Sequence, residues 1–361
     1  MSEVATEMAA MTRPTGSVVM PAYNESASIA STLHRVAATL VADLPDRDWE
    51  IVVVDDGSVD STAMVADAVA ADVEARGVSV RILQHAVNRG LGAALQTAIA
   101  ATRGDVVVVV DCDLSYDPGH VTSLVRALEA RHAQVAVASP YMEGGRTISV
   151  PRHIERRSRM ANAFLARISG SSVSTLTGMV RAYNGPFVRA LALKSVDDVI
   201  NVEALYKTGV LRGRIVEVPA TLDWSGLEQR AGRTSIRSRR TRSKTYQTVI
   251  SGVLFRPYLM FAAGGMALFL LGAFFGLGAI LLPSDRVALT VFGATLMVTG
   301  VLCGLVSVLS IQVKRCFEEL YFLHSGARLH VSDTIVYRAP SVSVEVTAVV
   351  PQRHPADVAG A

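Results

Sequence analysis

Two aspartates one residue apart follow a run of five valines at residues 106–110. Because side chains alternate along a strand, Asp111 and Asp113 are expected on one side and Cys112 on the other. Two carboxylates at a strand end form a hard-oxygen site, which suits Mg²⁺ or Mn²⁺ bridging a diphosphate. An Asp-x-Asp pair also occurs in ordinary solvated turns, so it is the preceding valine run that favours a metal site here.

Other acidic and aromatic side chains follow two further apolar runs. Asp55 ends the run at residues 51–54, where its carboxylate can accept hydrogen bonds from a base or from ribose hydroxyls. Tyr23 and Glu25 follow the first run, so the ring can lie against a base and the carboxylate can accept from a ribose. A capping turn before Ser28 explains Tyr23 and Glu25 equally well.

Positive charge is concentrated in two segments. Residues 153–168 form a basic helical pattern, and residues 230–244 hold seven Arg or Lys and no acid. The planar fork of arginine suits phosphate, although a solvated positive flank beside a membrane is an equally good interpretation of either segment. Nucleic acid is not an expected partner, because the net charge is only +3 and no aromatic residue interrupts the second segment.

The elements that must position these residues alternate along the chain. Short β-branched runs and helical patterns over residues 17–139 predict an α/β fold with a mostly parallel sheet covered on both faces. In such sheets the ligand lies at the carboxyl ends of the strands. Residues 177–178 and 184–186 are predicted as turns. The predicted strands are 17–20, 51–54, 80–83, 106–110, 135–138 and 215–218, and the predicted helices are 28–40, 62–74, 91–101, 121–130 and 153–168.

The composition is 50% hydrophobic and 19% charged, which is more apolar than one water-soluble core requires. Residues 258–282 and 287–313 contain no Asp, Glu, Lys or Arg, and each is long enough to cross a bilayer. Only a tight turn fits between them, so the pair is predicted to form a two-helix transmembrane hairpin. Basic residues on both flanks predict a multi-pass protein of the cell membrane whose catalytic domain is cytoplasmic.

The cysteines and the first residues bear on the compartment. Cys112, Cys303 and Cys316 show neither metal-ligand spacing nor a disulfide framework, which fits a reduced, cytosol-facing domain. The first fifteen residues lack a continuous apolar stretch, so no secretory signal is expected.

Four motifs in register resemble a family-two glycosyltransferase of GT-A fold. They are VMPAYNE at residues 19–25, VVDDGS at 53–58, NRG at 88–90 and DCDL at 111–114. Their order and spacing are similar to the polyprenyl-phosphate branch of that family, typified by dolichol-phosphate mannose synthase. The resemblance covers about residues 17–236, and the two-helix anchor is similar to the bacterial members of this branch.

From the residues alone, helix capping or a close backbone approach explains the glycine turn at 90–92, which does not match the dinucleotide fingerprint.

The resemblance implies roles for individual positions. The implied metal ligands are Asp111 and Asp113. The implied catalytic residues are Asp113, Arg159, Glu203 and Arg230, and the implied acceptor-phosphate ligands are Arg159, Asn162, Arg230 and Arg233. The implied nucleotide-sugar site comprises Pro21, Ala22, Tyr23, Glu25, Asp55, Gly90, Asp111, Cys112 and Asp113.

The resemblance also implies a reaction. The expected activity is an inverting, metal-dependent transfer of a hexose, from a nucleotide sugar of the UDP-glucose or GDP-mannose type, to a polyprenyl phosphate lipid. The expected division of the chain is a flexible terminus (1–15), a GT-A domain (16–229), a basic juxtamembrane segment (230–256), the hairpin (257–315) and a cytoplasmic tail (316–361).

Two other functions compete with this one. A processive polysaccharide synthase would carry a Gln-x-x-Arg-Trp motif, which the sequence around Gln229 lacks. A non-catalytic membrane scaffold is the other alternative. Glycines in the spans suit either close helix packing in a homo-oligomer or ordinary transmembrane composition.

Four positions depart from the pattern of the resembled family. Relatives often have Asp, Arg, Asp and Lys in place of residues that are here Ser174, Pro140, Met179 and Ser235. These departures leave the identity of the sugar donor and the details of the acceptor open.

Overall fold

The computed structural model describes residues 15–113, 115–169, 173–225, 257–281 and 286–336. Within them the chain forms an α/β domain with a mostly parallel seven-stranded sheet, followed by two long apolar helices. The predicted fold class is therefore confirmed. The predicted phosphate ligands Arg230 and Arg233, the departure at Ser235 and the rest of the basic juxtamembrane segment lie outside the described residues.

The strands are β1 (Thr15–Ala22), β2 (Asp48–Asp55), β3 (Val78–Gln84), β4 (Val106–Val109), β5 (Val135–Ser139), β6 (Arg146–Ile148), β7 (Arg181–Asn184), β8 (Ile215–Pro219) and β9 (Thr221–Asp223). The main sheet has the order β3-β2-β1-β4-β7-β5-β8, in which β7 is antiparallel to both of its neighbours. A separate small sheet pairs β6 with β9. Every predicted strand forms, whereas β6, β7 and β9 are not predicted by the sequence pattern.

The helices are α1 (Ile29–Asp43), α2 (Thr62–Glu74), α3 (Leu91–Ala101), α4 (Gly119–Ala130), α5 (Arg152–Ser169), α6 (Gly185–Ala190), α7 (Ile200–Val210), α8 (Pro257–Leu281) and α9 (Arg286–Val336). The sequence pattern predicts α2 and α3 to the residue. It does not predict α6 and α7.

The valine run of β4 is buried on both faces. Val106 and Val108 contribute to the core that α1, α2 and α4 cover, and Val107 and Val109 contribute to the core beneath α3, α6 and α7. A central parallel strand therefore shows no polar alternation. This burial fixes β4 in place and leaves the residues that follow it at the edge of the sheet.

The chain reverses its winding direction beside β1, which lies between β2 and β4. The register pairs Val19 with Val109 and Ala22 with Asp55. The residues that follow β1, β2 and β4 consequently lie at one edge of the sheet. Crevices at such a switch point are where open α/β sheets bind ligands.

The predicted turn at residues 184–186 is wrong, because β7 ends there and α6 begins directly. The Asn184 side-chain oxygen accepts a hydrogen bond from Phe187 N at 3.0 Å and so caps α6. A Cβ at Gly185 would overlap the Gly104 carbonyl oxygen, so this sharp junction requires glycine. The sequence pattern does not reveal β7 because one of its buried residues, Arg181, is charged.

Helices α8 and α9 are both long and apolar enough to cross a membrane, and most of their apolar residues are exposed. They pack closely against each other through paired glycines. A Cβ at Gly265 would overlap the Gly300 carbonyl oxygen, and a Cβ at Gly272 would overlap that of Gly293. These glycines therefore serve packing within the hairpin itself.

Helix α9 continues beyond the predicted second span and through the predicted domain boundary at residue 315. Its continuation contacts the α/β domain. The Tyr206 hydroxyl on α7 donates to Glu318 at 2.5 Å, and the Tyr321 hydroxyl donates to the Leu191 carbonyl at 2.9 Å. One helix thus connects the apolar hairpin directly to the layer that contains α6 and α7.

The 195–197 loop, which precedes α7, packs on the amino terminus of α3. The Val196 carbonyl accepts hydrogen bonds from Gly92 N at 2.7 Å and Ala93 N at 3.3 Å, so it satisfies donors of the first turn. A Cβ at Gly92 would overlap the Ser195 carbonyl oxygen. The position of α3 therefore depends on a close backbone approach that only glycine permits.

The substitution Gly92→Ala is expected to destabilise the domain by about 1–3 kcal/mol, because the added methyl overlaps backbone atoms. Gly209→Ala is the matched control, since Gly209 is also helical and nothing lies within 4 Å of its added Cβ. That control should gain up to about 1 kcal/mol from helix propensity. Thermal unfolding midpoints of the full-length protein in detergent compare the two, and equal midpoints would contradict the close approach.

Candidate active site

The structure brings the predicted acidic residues to the shared edge of β1, β2 and β4. The Cys112 thiol donates to the Pro21 carbonyl at 3.3 Å, and Asp56 N donates to the Ala22 carbonyl at 2.8 Å. The segment after β4 and the segment after β2 therefore lie against opposite sides of the end of β1. Pro21 and Ala22 are themselves buried, so they contribute backbone to this edge.

Asp111 and Asp113 are both half-buried, while Cys112 between them is buried and faces the core. Burial raises the pKa of the Cys112 thiol well above its ordinary value, and the negative charges of Asp111, Glu25 and Asp113 raise it further. The Asp113 carboxylate accepts a hydrogen bond from Ser115 N at 2.9 Å, which fixes its position. The edge thus carries a concentrated negative charge.

This donor set fits a divalent cation only in part. Among the described residues, no group of three or more His, Cys, Asp or Glu side chains could hold a metal ion. Mg²⁺ is commonly bound by one or two carboxylates together with substrate phosphates and waters. Asp111 and Asp113 therefore suit an ion whose remaining ligands come from a diphosphate and water.

Two of the residues predicted to hold a nucleoside, Asp55 and Glu25, have internal partners. Asp55 is 1% exposed. One of its oxygens accepts from Ser58 N and from the Ser58 hydroxyl, and the other accepts from Gln84 Nε2 at 3.0 Å. The Glu25 carboxylate accepts from the Ser28 hydroxyl at 2.6 Å. Asp55 therefore organises the turn after β2, and its contact with a nucleoside stays a prediction, as do those of Glu25 and the half-buried Tyr23.

Sequence reasoning missed the role of Asp56. Its carboxylate accepts from Arg89 N at 2.9 Å and Gly90 N at 2.8 Å, and it pairs with His85 Nδ1 at 2.7 Å. His85 Nε2 in turn lies 2.9 Å from the Thr97 hydroxyl on α3. Asp56 thus joins the ends of β2 and β3 to the loop that precedes α3.

Gly90 was predicted to contact the nucleotide sugar, and the structure gives it another neighbour. It has a positive φ of 95°. A Cβ there would overlap the Val196 carbonyl oxygen and would approach Asp197. The 195–197 loop therefore packs directly against Gly90. This packing requires a residue without a side chain.

The 174–178 loop is held by polar side chains of β7 and β8. The Glu217 carboxylate accepts from Ser174 N at 2.9 Å and Thr175 N at 3.2 Å. Arg181, which is fully buried, donates to the carbonyls of Leu176 and Gly178 at 2.6 and 2.8 Å. Glu217 and Arg181 are further residues that sequence reasoning did not single out for this role.

Asn162 was predicted to bind the acceptor phosphate, and the structure gives its side chain internal partners. It is 1% exposed, and its side-chain oxygen accepts from Leu176 N at 2.7 Å and Thr177 N at 3.1 Å. Its amide nitrogen donates to the Ser158 carbonyl at 2.9 Å. Asn162 is consequently a positioning residue of the 174–178 loop, since its polar atoms are engaged inside the protein.

Glu203 was predicted as a catalytic residue, and its hydrogen-bond partners are also internal ones. It is 5% exposed and accepts from Lys194 N at 3.0 Å and Ser195 N at 2.8 Å. Lys207 pairs with it at 2.6 Å. Burial opposes ionisation, but the hydrogen bonds from Lys207 and Ser195 outweigh it, so the pKa of Glu203 lies below its ordinary value. The carboxylate therefore holds the segment that leads into the 195–197 loop.

Arg159 is the one predicted phosphate ligand among the described residues that keeps an exposed side chain, 47% accessible. Its guanidinium pairs with Glu155 at 2.9 Å and lies 4.7 Å above the Tyr141 ring. Burial raises the pKa of Tyr116 strongly, and Tyr141 and Asp111 raise it further. Arg159 thus lies against Tyr141, and the charges of Tyr141 and Asp111 both act on Tyr116.

The described departures from the family pattern lie around the same loop. Ser174 donates its hydroxyl to Glu217 at 2.7 Å, so it takes part in holding the loop. Pro140 is buried and Met179 is half-buried. The structure gives no reason for the residue types at Pro140 and Met179.

The chain is similar to a known protein family and to several of its members. The family described as "Glycosyl transferase family 2" matches residues 17–190. The chain is 32% identical over 177 residues to dodecaprenyl-phosphate galacturonate synthase of Rhizobium johnstonii, covering 49% of this chain and 50% of that protein. It thus spans half the length of this relative and of several others.

One solved structure and one shorter relative complete the comparison. Glucosyl-3-phosphoglycerate synthase from Mycobacterium tuberculosis, in complex with Mg²⁺ and UDP, superposes with a TM-score of 0.43 at 27% identity, covering 62% of this chain and 74% of that chain. Undecaprenyl-phosphate mannosyltransferase of Micrococcus luteus is 31% identical over 209 residues, covering 56% of this chain and 81% of that protein. With that coverage and the matched motifs at the ends of β1, β2 and β4, the chain belongs to glycosyl transferase family 2, with a GT-A-like α/β fold.

Proposed function

We propose that the protein transfers a hexose from a nucleoside diphosphate sugar to polyprenyl phosphate, giving a polyprenyl-phosphate sugar. The observation that carries the proposal is the half-buried acid pair, Asp111 and Asp113, beside the end of β1. Relatives named for dodecaprenyl-phosphate and undecaprenyl-phosphate sugar chemistry support the choice of acceptor.

The donor lies along the carboxyl edge of the sheet. Tyr23, Glu25 and Asp55 hold the nucleoside, and Pro21 and Ala22 line this part with backbone. Asp111 and Asp113 would hold Mg²⁺ or Mn²⁺, and such an ion would neutralise charge on the leaving diphosphate.

The acceptor phosphate lies on the Arg159 side, with Arg230 and Arg233 as further ligands. A phosphate oxygen forms a bond to the anomeric carbon while the bond from that carbon to the nucleoside diphosphate breaks, and the electron pair leaves with the diphosphate. Attack opposite the leaving group inverts the configuration. The acceptor phosphate is already ionised at neutral pH, so no side chain has to remove a proton, and catalysis rests on positioning and electrostatics.

The two apolar helices anchor the enzyme in the cell membrane. Lys314 and Arg315 directly follow the second apolar stretch, and Arg256 precedes the first, so the positive-inside rule favours a cytoplasmic α/β domain. A lipid-linked acceptor confined to the bilayer is reached by a domain held at its surface.

Replacing one of the two proposed metal ligands tests the chemistry. Asp113→Asn is expected to lower turnover with polyprenyl phosphate by at least about 100-fold, because leaving-group charge loses its stabilisation. The matched control is Asp117→Asn, whose exposed carboxylate pairs with Arg35 at 3.1 Å and lies outside the site. Turnover is measured with radiolabelled nucleotide sugars and thermal midpoints verify folding.

Turnover of Asp113→Asn equal to that of Asp117→Asn, with both folded, would exclude the proposed site. Mass spectrometry of the wild-type product distinguishes the competing activities. A single added hexose is expected, whereas a polymer would support a processive synthase.

The role assigned to Asn162 predicts a selective kinetic defect. Asn162→Ala leaves the Leu176 and Thr177 amides without their acceptor, which costs about 1–3 kcal/mol and loosens the 174–178 loop. The KM for polyprenyl phosphate should rise while the KM for the nucleotide sugar is retained. Asn162→Asp keeps the acceptor oxygen and should restore much of the affinity for the lipid, whereas an equal rise in both KM values would contradict this role.

A further inference from the structure

Helix α5 carries an exposed face that the proposed reaction does not use. Arg152, Arg156, Met160, Phe164 and Arg167 follow one another at helical spacing and are all exposed. Met160 is 64% and Phe164 is 42% exposed, which is unusual for large apolar side chains of a folded domain. We call this set the α5 face.

The opposite side of α5 shows that its orientation is fixed by packing. Asn162 and Leu165 are 1% and 2% exposed, and Leu165 contributes to the same core cluster as Ile200 and Leu205 of α7. The α5 face is therefore turned outward by the same contacts that build the core. Among the residues that the structure describes, the packed layer leaves Met160 and Phe164 largely uncovered, which calls for a partner outside the domain.

The charge of α5 indicates what that partner is. The one acid of the helix, Glu155, is paired with Arg159, so no other carboxylate of α5 offsets Arg152, Arg156 and Arg167. Apolar side chains bordered by arginines on one helix face are typical of helices that lie in the headgroup region of a bilayer. Anionic headgroups attract such a face by about 1 kcal/mol per basic residue.

The position of α5 agrees with a membrane partner. Its buried side shares a core cluster with α7, and α7 contacts the continuation of α9 through Tyr206 and Glu318. The α5 face and the helix that leads to the apolar hairpin therefore belong to the same layer on one side of the sheet. By contrast, α1, α2 and α4 cover the other side.

We propose that the α5 face is an interfacial membrane-docking surface for anionic phospholipid, with Met160 and Phe164 entering the headgroup region and the arginines contacting phosphates. This inference rests on the proposed anchoring of the hairpin in a membrane. Docking would place Arg159, at the border of this face, at the depth of lipid phosphates. The catalytic domain would then be oriented by two attachments, α9 and α5.

The test places a fluorophore on the α5 face of the full-length protein in lipid vesicles. Met160→Cys is labelled with an environment-sensitive dye in a background carrying Cys303→Ser and Cys316→Ser, since Cys112 is buried. The matched control is Met64→Cys on α2, because Met64 is 75% exposed on the other side of the sheet. Vesicles contain phosphatidylcholine with or without phosphatidylglycerol, and doxyl-labelled lipid serves as the quencher.

The label at position 160 is expected to shift to the blue and to lose intensity to the lipid quencher, more strongly with phosphatidylglycerol. The label at position 64 should do neither. The double substitution Arg156→Glu and Arg167→Glu should abolish the dependence on phosphatidylglycerol at position 160. Flotation of the protein with the vesicles separately reports anchoring, and it is independent of sugar transfer.

Floating protein whose label at position 160 behaves like the label at position 64 would overturn the proposal while leaving the anchor intact. A blue shift without lipid quenching that grows with protein concentration would also overturn it and indicate a second copy of the chain. Failure to float would instead refute the anchoring on which the inference rests.

Discussion

Several carboxylates lie close together at the ends of the parallel strands β1, β2 and β4. Their negative charge has to be balanced by other groups. Asp111, Glu25 and Asp113 lie near enough together to raise the pKa of the buried Cys112 thiol jointly. Asp55 adds a fourth carboxylate at the register position opposite Ala22. Hydrogen bonds from serine hydroxyls and backbone amides satisfy part of this charge, and the proposed cation with its diphosphate accounts for the remainder.

The 174–178 loop and the segment that leads into the 195–197 loop are held by carboxylate and amide side chains. Such side chains are also common catalytic groups. Glu217 and Asn162 hold the 174–178 loop, and Glu203 holds the segment before the 195–197 loop. Each provides oxygen acceptors for backbone amides of these loops, and such amides are costly to leave unpaired where they are buried. A contiguous series of contacts then leads from the 195–197 loop through Glu203 and Lys207 to the Tyr321 ring, 5.7 Å from the Lys207 ammonium. The rim of the site and helix α9 are therefore parts of one packed layer.

The sequence predicts the first half of the domain well because its elements obey simple periodicities. The valines of β4 and the helical spacing of α2 and α3 leave little choice, and the carboxyl edge follows from parallel pairing. The pattern fails at β7, where the buried Arg181 and the capping Asn184 disguise a strand that leads directly into a helix. For Gly90, Asn162 and Glu203 the residue type suits both ligand contact and backbone support. Only the positions of distant loops show that these three have internal partners.

The most direct test is whether nucleotide affinity depends on a divalent ion. It tests whether Asp111 and Asp113 bind the diphosphate through a metal, and it does not require turnover. Titration calorimetry of the full-length protein with UDP and with GDP, in Mn²⁺ and then in EDTA, measures it. The account predicts that chelation weakens binding of the preferred nucleotide to the wild type, and that the double substitution Asp111→Asn and Asp113→Asn makes binding insensitive to Mn²⁺. Equal affinity of the wild type in Mn²⁺ and in EDTA would contradict it.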